Sequence, residues 1–298
     1  MPAGFLGTRN NDQEVNIMRI DQVATKACAI IAIVTTTTIW SNGAVRADAF
    51  REGSLTIVHD FEGFTGAGFA PTPGPGQLDS DAIIVEGLSD GVLPFGGAAG
   101  TGDFARGASA GGVTTGGVYA FDVSNGGPVN RALGVQPIGS DFTPGGVTFR
   151  VRNLTGHDVV EIVSSFRIYA YNDAGRAGAI VWAHARDDGP FTDFGESVLS
   201  PETAAADPTW SVLIEHRVSI PFDSPLPDGA AFSFRFRGDD ASGTGSRDEF
   251  AFDDVTFTAI VPEPASVAPL AVAALWCRPR RRRSMLASDR SNASCPHP

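Results

Sequence analysis

Four carboxylates lie at the two ends of the stretch whose pattern is typical of a folded domain. Asp60 and Glu62 end its first apolar segment, and Asp253 and Asp254 lie within its last one. If Val255 points into the core, the period of two along a strand places Asp253 there as well, where an unpaired carboxylate costs several kcal/mol. A hard cation with oxygen ligands would compensate that charge, and Ca²⁺ tolerates irregular coordination. These four residues are our predicted site for a structural calcium ion.

The alternative for Asp253 needs no metal. Its carboxylate could accept hydrogen bonds from backbone N–H groups or pair with an arginine such as Arg131. The two hypotheses differ in one measurable respect, since only a site that binds Ca²⁺ in the folded state raises the melting temperature with free calcium.

Motifs that could support catalysis lack the context that catalysis needs. Residues 107–111, GASAG, match the G-x-S-x-G pattern of serine hydrolases, but that mechanism needs its serine on a strand-to-helix turn. The histidines of this region are scattered without metal-binding spacing: His59, His157, His184 and His216. Adjacent acids are typical of solvated turns: Asp187 and Asp188, Asp239 and Asp240, Asp248 and Glu249. We predict that the protein is not an enzyme; an extracellular hydrolase with an unrecognised carboxylate pair is an alternative.

Strands are the elements that would position such residues. Residues 210–220 alternate apolar and polar side chains with Leu213 as the exception, and residues 231–237 place three phenylalanines between polar residues. Further candidate strands are residues 55–61, 83–86, 113–123, 147–152, 162–171, 179–186 and 250–260. The predicted fold class is therefore all-β, with residues 50–260 forming a jelly-roll-like antiparallel β-sandwich.

One part of this domain is rich in glycine. Residues 63–117 hold 16 glycines in 55 positions, which is typical of long loops around a single strand. We expect either a mobile surface segment or a large loop over one end of the sandwich.

The charge and cysteine content exclude several classes of function. Residues 50–260 carry 28 Asp and Glu, 12 Arg and no Lys, a formal charge of −16. Such a body repels phosphate backbones, so we predict no nucleic-acid partner. Cys28, Cys277 and Cys295 all lie outside it, which excludes a disulfide, a cysteine-ligated zinc ion and a thiol nucleophile within the domain.

The N-terminal region has the order of an export signal. From Met18, a basic segment is followed by apolar residues 27–34 and by residues 47–49 (ADA), the small-x-small pattern that signal peptidase accepts. Residues 18–49 are therefore predicted to be a signal peptide. Residues 1–17 match no part of such a signal, so we expect translation to begin at Met18.

The C-terminal region combines a turn, a short apolar run and a basic cluster. The 13 uncharged residues 265–277 would span roughly 20 Å as a helix, less than the ~30 Å hydrocarbon core of a membrane. They precede five arginines: Arg278, Arg280, Arg281, Arg282 and Arg283. Arginines in this place are the cytoplasmic stop that the positive-inside rule describes. We expect a short apolar anchor helix here.

This arrangement over residues 261–283 resembles the PEP-CTERM sorting signal of exopolysaccharide-producing bacteria. In that family a membrane-embedded exosortase processes the chain near the Pro-Glu-Pro. The resemblance implies a recognition signal at Pro262, Glu263 and Pro264 and a cytoplasmic stop at Arg280, Arg281, Arg282 and Arg283. The chain differs from the family in its short apolar run and in residues 284–298, which we expect to be a disordered tail.

Motifs inside the domain carry a second resemblance. GVY (117–119), NRALG (130–134), RNLTG (152–156), FRFRGDD (234–240) and FDDV (252–255) are similar to a β-sandwich ectodomain of anchored bacterial surface proteins. HDFEG and AFDDVTF are similar to the first and last strands of jelly-roll carbohydrate-binding and MAM-type modules. In those modules the two strands are neighbours and often hold calcium, which implies the calcium site described above.

Together these features predict an exported, non-catalytic cell-surface or extracellular-matrix protein, held transiently in the inner membrane and associated with exopolysaccharide. Signal peptidase and exosortase would be its partners during export. A carbohydrate-binding module with a defined glycan ligand is the alternative. Exposed Tyr169, Tyr171 or Trp182 would favour that alternative because sugar rings stack on aromatic side chains, whereas their burial in the core would not.

Overall fold

The computed structural model describes residues 48–243 and 245–262. Within them the chain forms fifteen strands and one short 3-10 helix, Gly102–Phe104. The strands are β1 (Ala49–Arg51), β2 (Thr56–His59), β3 (Phe69–Ala70), β4 (Leu78–Asp79), β5 (Ile83–Glu86), β6 (Ala108–Ser109), β7 (Gly117–Asp122), β8 (Arg131–Gln136), β9 (Gly145–Leu154), β10 (Val159–Tyr171), β11 (Gly178–Arg186), β12 (Thr192–Leu199), β13 (Trp210–Leu226), β14 (Ala231–Asp240) and β15 (Glu249–Ile260).

Two sheets face each other across one core. Sheet A has the order β1-β9-β14-β11-β12, with β5 also on β9, and sheet B has the order β13-β10-β15-β8-β7-β6, with β2 also on β15. The long strands pair antiparallel, while the short strands β1 and β6 pair parallel with β9 and β7. The first and last predicted strands, β2 and β15, are direct neighbours. The predicted all-β sandwich is confirmed.

The core between the sheets is built largely from phenylalanine. Strand β14 contributes Phe232, Phe234 and Phe236, each at most 1% exposed. Their rings meet rings of sheet B, with centroids 4.8 Å apart for Phe236 and Phe252 and 5.8 Å apart for Phe234 and Phe257. Aromatic pairs at these distances add to the stabilisation from buried area. The alternation predicted for this strand is confirmed, and it leaves the polar residues of β14 on the outer face of sheet A.

Strand β13 departs from the predicted alternation at one residue. Its pairing with β10 slips at Leu213, which makes a β-bulge there. Beyond the bulge Ile214 packs against the core, whereas Trp210 lies on the outer face of sheet B, 4.8 Å from Phe121 between ring centroids. The prediction of one face for the whole of residues 210–220 is therefore wrong at its start, because a bulge reverses the phase of the strand.

The glycine-rich residues 63–117 form a packed layer with several short strands, more structure than the predicted loops around one strand. Phe64, Phe69 and Leu93 from this layer are buried in the main core. Backbone hydrogen bonds tie Phe69 to Ala99 in both directions, at 2.8 and 2.9 Å. Gly68, with φ of +90°, makes room for that pairing, since a Cβ there would lie 2.0 Å from the carbonyl oxygen of Ala99.

Strand β1 begins at the predicted end of the signal peptide. Ala49 pairs with Arg152 of β9, and the carbonyl of Asp48 accepts a hydrogen bond from the backbone N–H of Arg152 at 2.9 Å. A mature chain starting at Phe50 would lose both contacts. The rest of the predicted signal peptide and residues 1–17 lie outside the described residues.

Most residues of the predicted C-terminal signal also lie outside the described residues. Pro262 follows the end of β15, whereas Glu263, Pro264, the arginine cluster and residues 284–298 fall beyond the described range. Across residues 48–243 and 245–262, no helix has the length and apolar character needed to cross a membrane.

Candidate functional site

The outer face of sheet A has a depression at its centre, where the side chains are short. On β9 and β14, Thr148 lies opposite Arg235 and Arg150 lies opposite Ser233. On the next strand, β11, Ala183 is the neighbour of Arg235. Because alternate residues of these strands point into the phenylalanine core, these side chains point outward. Small residues between long arginines leave space above the sheet.

Loops on two sides turn this depression into an open cleft. Phe95 comes from the loop after β5, and Phe191 comes from the turn between β11 and β12. The cleft has a volume of about 190 Å³ and is lined by Ile84, Glu86, Phe95, Thr148, Ala185, Asp188, Gly189, Phe191, Ser233 and Arg235. Phe191 is 38% exposed, so part of its ring faces solvent. We call this site the Phe95–Phe191 cleft.

Arg235 is held flat against the floor of the cleft. Its guanidinium lies over Gly146, where a Cβ would come 2.7 Å from Nε and 3.0 Å from the carbonyl oxygen of Phe236, so a larger residue would displace the arginine. The Phe191 ring centroid is 5.3 Å from the guanidinium carbon, a cation–π contact. Nη2 of Arg235 lies 2.8 Å from a carboxylate oxygen of Glu86. These contacts fix the position of the charge and leave the outward side of Phe191 free.

Arg150 lies beside the cleft, behind its lining residues Phe95 and Asp188. Its guanidinium stacks over the Phe95 ring at 3.7 Å from the centroid and donates to the carbonyl oxygen of Asp81 at 3.2 Å. The nearest carboxylate, that of Asp188, is 4.0 Å away, too far for a hydrogen bond. Burial lowers the pKa of Arg150, and the charge of Asp188 opposes that shift.

The cleft thus offers an exposed aromatic ring, fixed guanidinium donors and carboxylate acceptors on a rigid sheet. A ligand that suits it is polar, rich in hydrogen-bonding groups and has one flat apolar face. Sequence reasoning missed this site because its residues come from four strands and two loops that are separate in the sequence. The alternation of Arg235 and Arg237 with the β14 phenylalanines was the one signal available.

The predicted calcium residues lie around a second bulge. Strand β15 changes register against β10 at Asp254, which has φ of 51°. Because the bulge reverses the phase, Val255 faces the core while Asp253 lies on the outer side of sheet B with Ala251. Asp253 is nevertheless only 1% exposed. Its burial was predicted correctly, but the face was not.

The contacts of these acids favour the hydrogen-bonded alternative. Asp253 Oδ1 accepts the backbone N–H of Asp254 at 2.8 Å, and burial, with repulsion from Asp254 and Glu62, raises the pKa of Asp253 to about 7. Asp254 pairs with Arg167 at 2.6 Å, and Asp60 accepts the backbone N–H of Glu62 at 3.3 Å. Throughout the described residues, no group of three or more His, Cys, Asp or Glu side chains could hold a metal ion. Calcium binding stays a prediction.

A second buried acidic group was not expected. Asp248 and Glu249 were assigned to a solvated turn, but both are 0% exposed, so that assignment is wrong. Asp248 accepts the backbone N–H of Ala174 at 3.0 Å, and Glu249 accepts that of Val113 at 2.8 Å. Burial raises the pKa of Asp248 to about 6 and that of Glu249 to about 8, with Asp173 adding repulsion. These acids connect separate loops at one end of the sandwich.

The aromatic side chains proposed for sugar stacking lie elsewhere. Trp182 is 1% exposed in the main core, and Tyr169 is 7% exposed in the outer aromatic cluster of sheet B. Tyr171 is half-buried with its ring centroid 5.4 Å from that of Trp210. Burial, the alternative for these residues, is what the structure shows for Trp182 and Tyr169.

The remaining motifs have structural surroundings. Ser109 lies in the two-residue strand β6, and its hydroxyl bonds to the backbone of Gly111 rather than standing on a strand-to-helix turn. His216 packs against the rings of Phe166 and Trp182, and its Nε2 is 3.0 Å from Glu196. Both observations agree with the non-catalytic interpretation of these residues.

No protein-family model matches the chain, and no curated protein sequence matches it. Similar solved structures include carbohydrate-binding modules. The CBM22-1 and GH10 modules of a Clostridium thermocellum endo-1,4-beta-D-xylanase, complexed with xylohexaose, show 15% identity and a TM-score of 0.28 over 61% of this chain and 27% of that one. The CBM22-1 xylan-binding domain from Paenibacillus barcinonensis shows 9% identity and a TM-score of 0.33, covering 74% of this chain and all of the other.

A third structure, a CBM61 module in complex with beta-1,4-galactotriose, shows 12% identity and a TM-score of 0.27 over 51% of this chain and 86% of that one. The chain spans about a quarter of the first of these structures. Similarity at this level carries no argument about activity or ligand.

Proposed function

We propose that this protein binds a glycan chain in the Phe95–Phe191 cleft and serves to associate with polysaccharide, without a reaction of its own. The exposed ring of Phe191 beside the fixed charges of Arg235 and Glu86 is the observation that supports this proposal. The C–H face of a sugar packs on an aromatic ring, while its hydroxyls need donors and acceptors close by. The cleft supplies both on a rigid sheet, which limits the entropy lost on binding.

A hydrolase is the weaker alternative. Two carboxylates, those of Glu86 and Asp188, line the cleft. Glycoside hydrolysis needs one of its two carboxyl groups to be a proton donor. Glu86 is paired with Arg235 at 2.8 Å, and Asp188 is 72% exposed in a turn. Both features favour binding over catalysis.

The variant Phe191→Ala tests the binding site. We expect the full-length protein to be retarded by at least one member of a panel of soluble polysaccharides in affinity electrophoresis, and the variant to lose about tenfold or more in affinity. Val212→Ala is the matched control, because Val212 is 52% exposed on sheet B. Retardation by no polysaccharide, or equal retardation of the variant, would contradict the proposal. Release of reducing ends from any member would favour the hydrolase.

We also propose that the protein is exported and sorted through an exosortase-type pathway, on the strength of the signal-peptide pattern and the resemblance of residues 261–283 to the PEP-CTERM signal. The mature domain would then lie outside the inner membrane, at the cell surface or in the matrix. Peptide mapping of the surface-released protein should place its C-terminus near residues 261–265. Recovery of intact residues 284–298 on the released form would refute this processing.

A further inference from the structure

We infer that the ligand of the Phe95–Phe191 cleft is an acidic polysaccharide, one that bears carboxylate or sulfate groups, and that Arg150, Arg235 and Arg237 bind those groups. This inference rests on the proposed function and adds the chemical class of the glycan. It concerns the outer face of sheet A, whose neighbouring rows carry these three arginines and also Arg152.

The three arginines follow one another along the sheet. Arg150 shares a row with Ser233, Arg235 lies in the next row on β14, and Arg237 lies one row further, opposite Gly146. Rows two residues apart on one face are separated by about 6.6 Å, so the arginines extend over about 13 Å along the strands. A polymer with regularly spaced anionic groups could contact more than one of them at once.

Two of these arginines lack a close carboxylate partner. The nearest carboxylates of Arg150 and Arg237 are at 4.0 and 3.5 Å, and those acids, Asp188 and Asp193, are 72% and 55% exposed. Pairs between exposed groups at such distances contribute little.

Three arginines elsewhere in the fold, Arg106, Arg167 and Arg176, have closer carboxylate partners. Arg167, for example, lies 2.6 Å from Asp254. Within the cleft, Arg235 is likewise close to Glu86, at 2.8 Å. The contrast leaves Arg150 and Arg237 with donors that an incoming anion can use.

These arginines have more hydrogen-bond donors than there are acceptors around them. The Nε atoms of Arg150, Arg235 and Arg237 have no hydrogen-bond partner but are buried. An incoming anion can therefore reach only the exposed part of each side chain, which is 13%, 21% and 38% respectively. Stacking on Phe95 and Phe191 holds the planes of Arg150 and Arg235 in place. A fixed guanidinium fork matches the two oxygens of a carboxylate or sulfate, whereas a neutral hydroxyl satisfies one donor at a time.

The negative charge of the whole domain does not prevent a polyanion from binding at the cleft. It disfavours binding of the same polyanion elsewhere on the surface. Residues 50–260 carry a formal charge of −16. Since salt screens exposed charges beyond about 8 Å at physiological ionic strength, a polyanion at the cleft responds mainly to the local groups, which are the three arginines and the carboxylates of Glu86, Asp188 and Asp193. Other faces of the acidic body repel the same chain, so the cleft is the surface at which it can bind.

The experiment compares glycans that differ only in charge. We expect the full-length protein to bind polygalacturonate at least about tenfold more tightly than carboxyl-reduced polygalacturonate, with the preference lost as salt rises from 50 mM to 0.5 M. Dextran sulfate and dextran form the second pair and distinguish sulfate from carboxylate. Arg150→Gln and Arg237→Gln should each lower the affinity for the charged glycan about tenfold. Arg217→Gln, on an exposed position of β13, is the matched control for the loss of one charge.

The outcomes separate this inference from the proposed function. Equal binding of charged and reduced glycans, both lost in Phe191→Ala, would overturn the acidic-ligand inference and keep the glycan cleft. Charged-glycan binding that Arg217→Gln weakens as much as Arg150→Gln would also overturn it, because the attraction would then be non-specific. Binding of no glycan at all would overturn the proposed function itself. Circular dichroism of each variant confirms that the sandwich is intact.

Discussion

Asp253 is a carboxyl group with 1% of its surface exposed and one strong donor, the backbone N–H of Asp254. Its pKa is raised to about 7, mainly by burial. The folded protein therefore keeps this acid protonated above the pH at which the unfolded chain releases the proton. A carboxyl group in this state needs no cation, whereas the ionised form does.

The substitution Asp253→Asn tests that state at the level of one residue. Because the amide stays neutral, we expect the variant to be more stable than the wild type by about 2 kcal/mol at pH 8.5, with the difference shrinking toward pH 4. Denaturant unfolding at both pH values measures it. Asp60→Asn, at an exposed position, is the control and should change little.

Calcium binding is the alternative explanation for the burial of Asp253. If millimolar calcium raises the melting temperature of the wild type over that in chelator, and Asp253→Asn abolishes the rise, the predicted ion binds at this site. Identical melting curves in calcium and chelator would contradict the calcium prediction and leave the protonated carboxyl group as the explanation of its burial.

At the scale of elements, the alternation of apolar and polar residues located the long strands. It failed where a β-bulge interrupts that alternation. Strand β5 was predicted with its observed bounds, and β14 and β15 were predicted within a few residues. The bulges at Leu213 and Asp254 each add one residue, and a single added residue moves every later side chain to the other face. An unaligned sequence carries no marker for such a residue.

Among the strands longer than three residues, two were missed for a different reason. Strand β12 is an edge strand with Gly195 at φ of +76°. Only Phe194 and Val198 pack against the core, with the exposed Glu196 between them, so the strand shows no clear period of two. Strand β8 is buried on both faces, so it too lacks alternation. The cleft depends on this unpredicted geometry, because Phe191 precedes β12 directly and is placed by the turn from β11.

At the scale of the whole molecule, buried acids set the response to pH. The pKa values of Asp79 and Asp248 are raised to about 6, that of Asp253 to about 7 and that of Glu249 to about 8, and burial is the main cause for each. Their ordinary values are 3.8 for Asp and 4.5 for Glu. All four therefore act in the same direction. Between about pH 4 and pH 8 these four acids hold more protons in the folded protein than in the unfolded chain. His59 and His184, whose pKa values are lowered by burial, act in the opposite direction below their ordinary pKa of 6.5.

This difference in bound protons predicts that stability falls as pH rises. The slope of the unfolding free energy with pH is negative wherever the folded state binds more protons, so the contribution is present near pH 4 and is lost by about pH 8. We expect the melting temperature of the full-length protein to be highest near pH 4–5 and to drop by roughly 10 °C by pH 8.5, which corresponds to a loss of about 3 kcal/mol or more. Calorimetry from pH 4 to pH 9 at constant ionic strength measures the curve.

Self-repulsion of the acidic body acts in the same direction, but 0.5 M NaCl screens exposed charges far more than buried ones. A fall in melting temperature that disappears in high salt, or a melting temperature that rises between pH 5 and pH 8, would show that these acids are not buried as described.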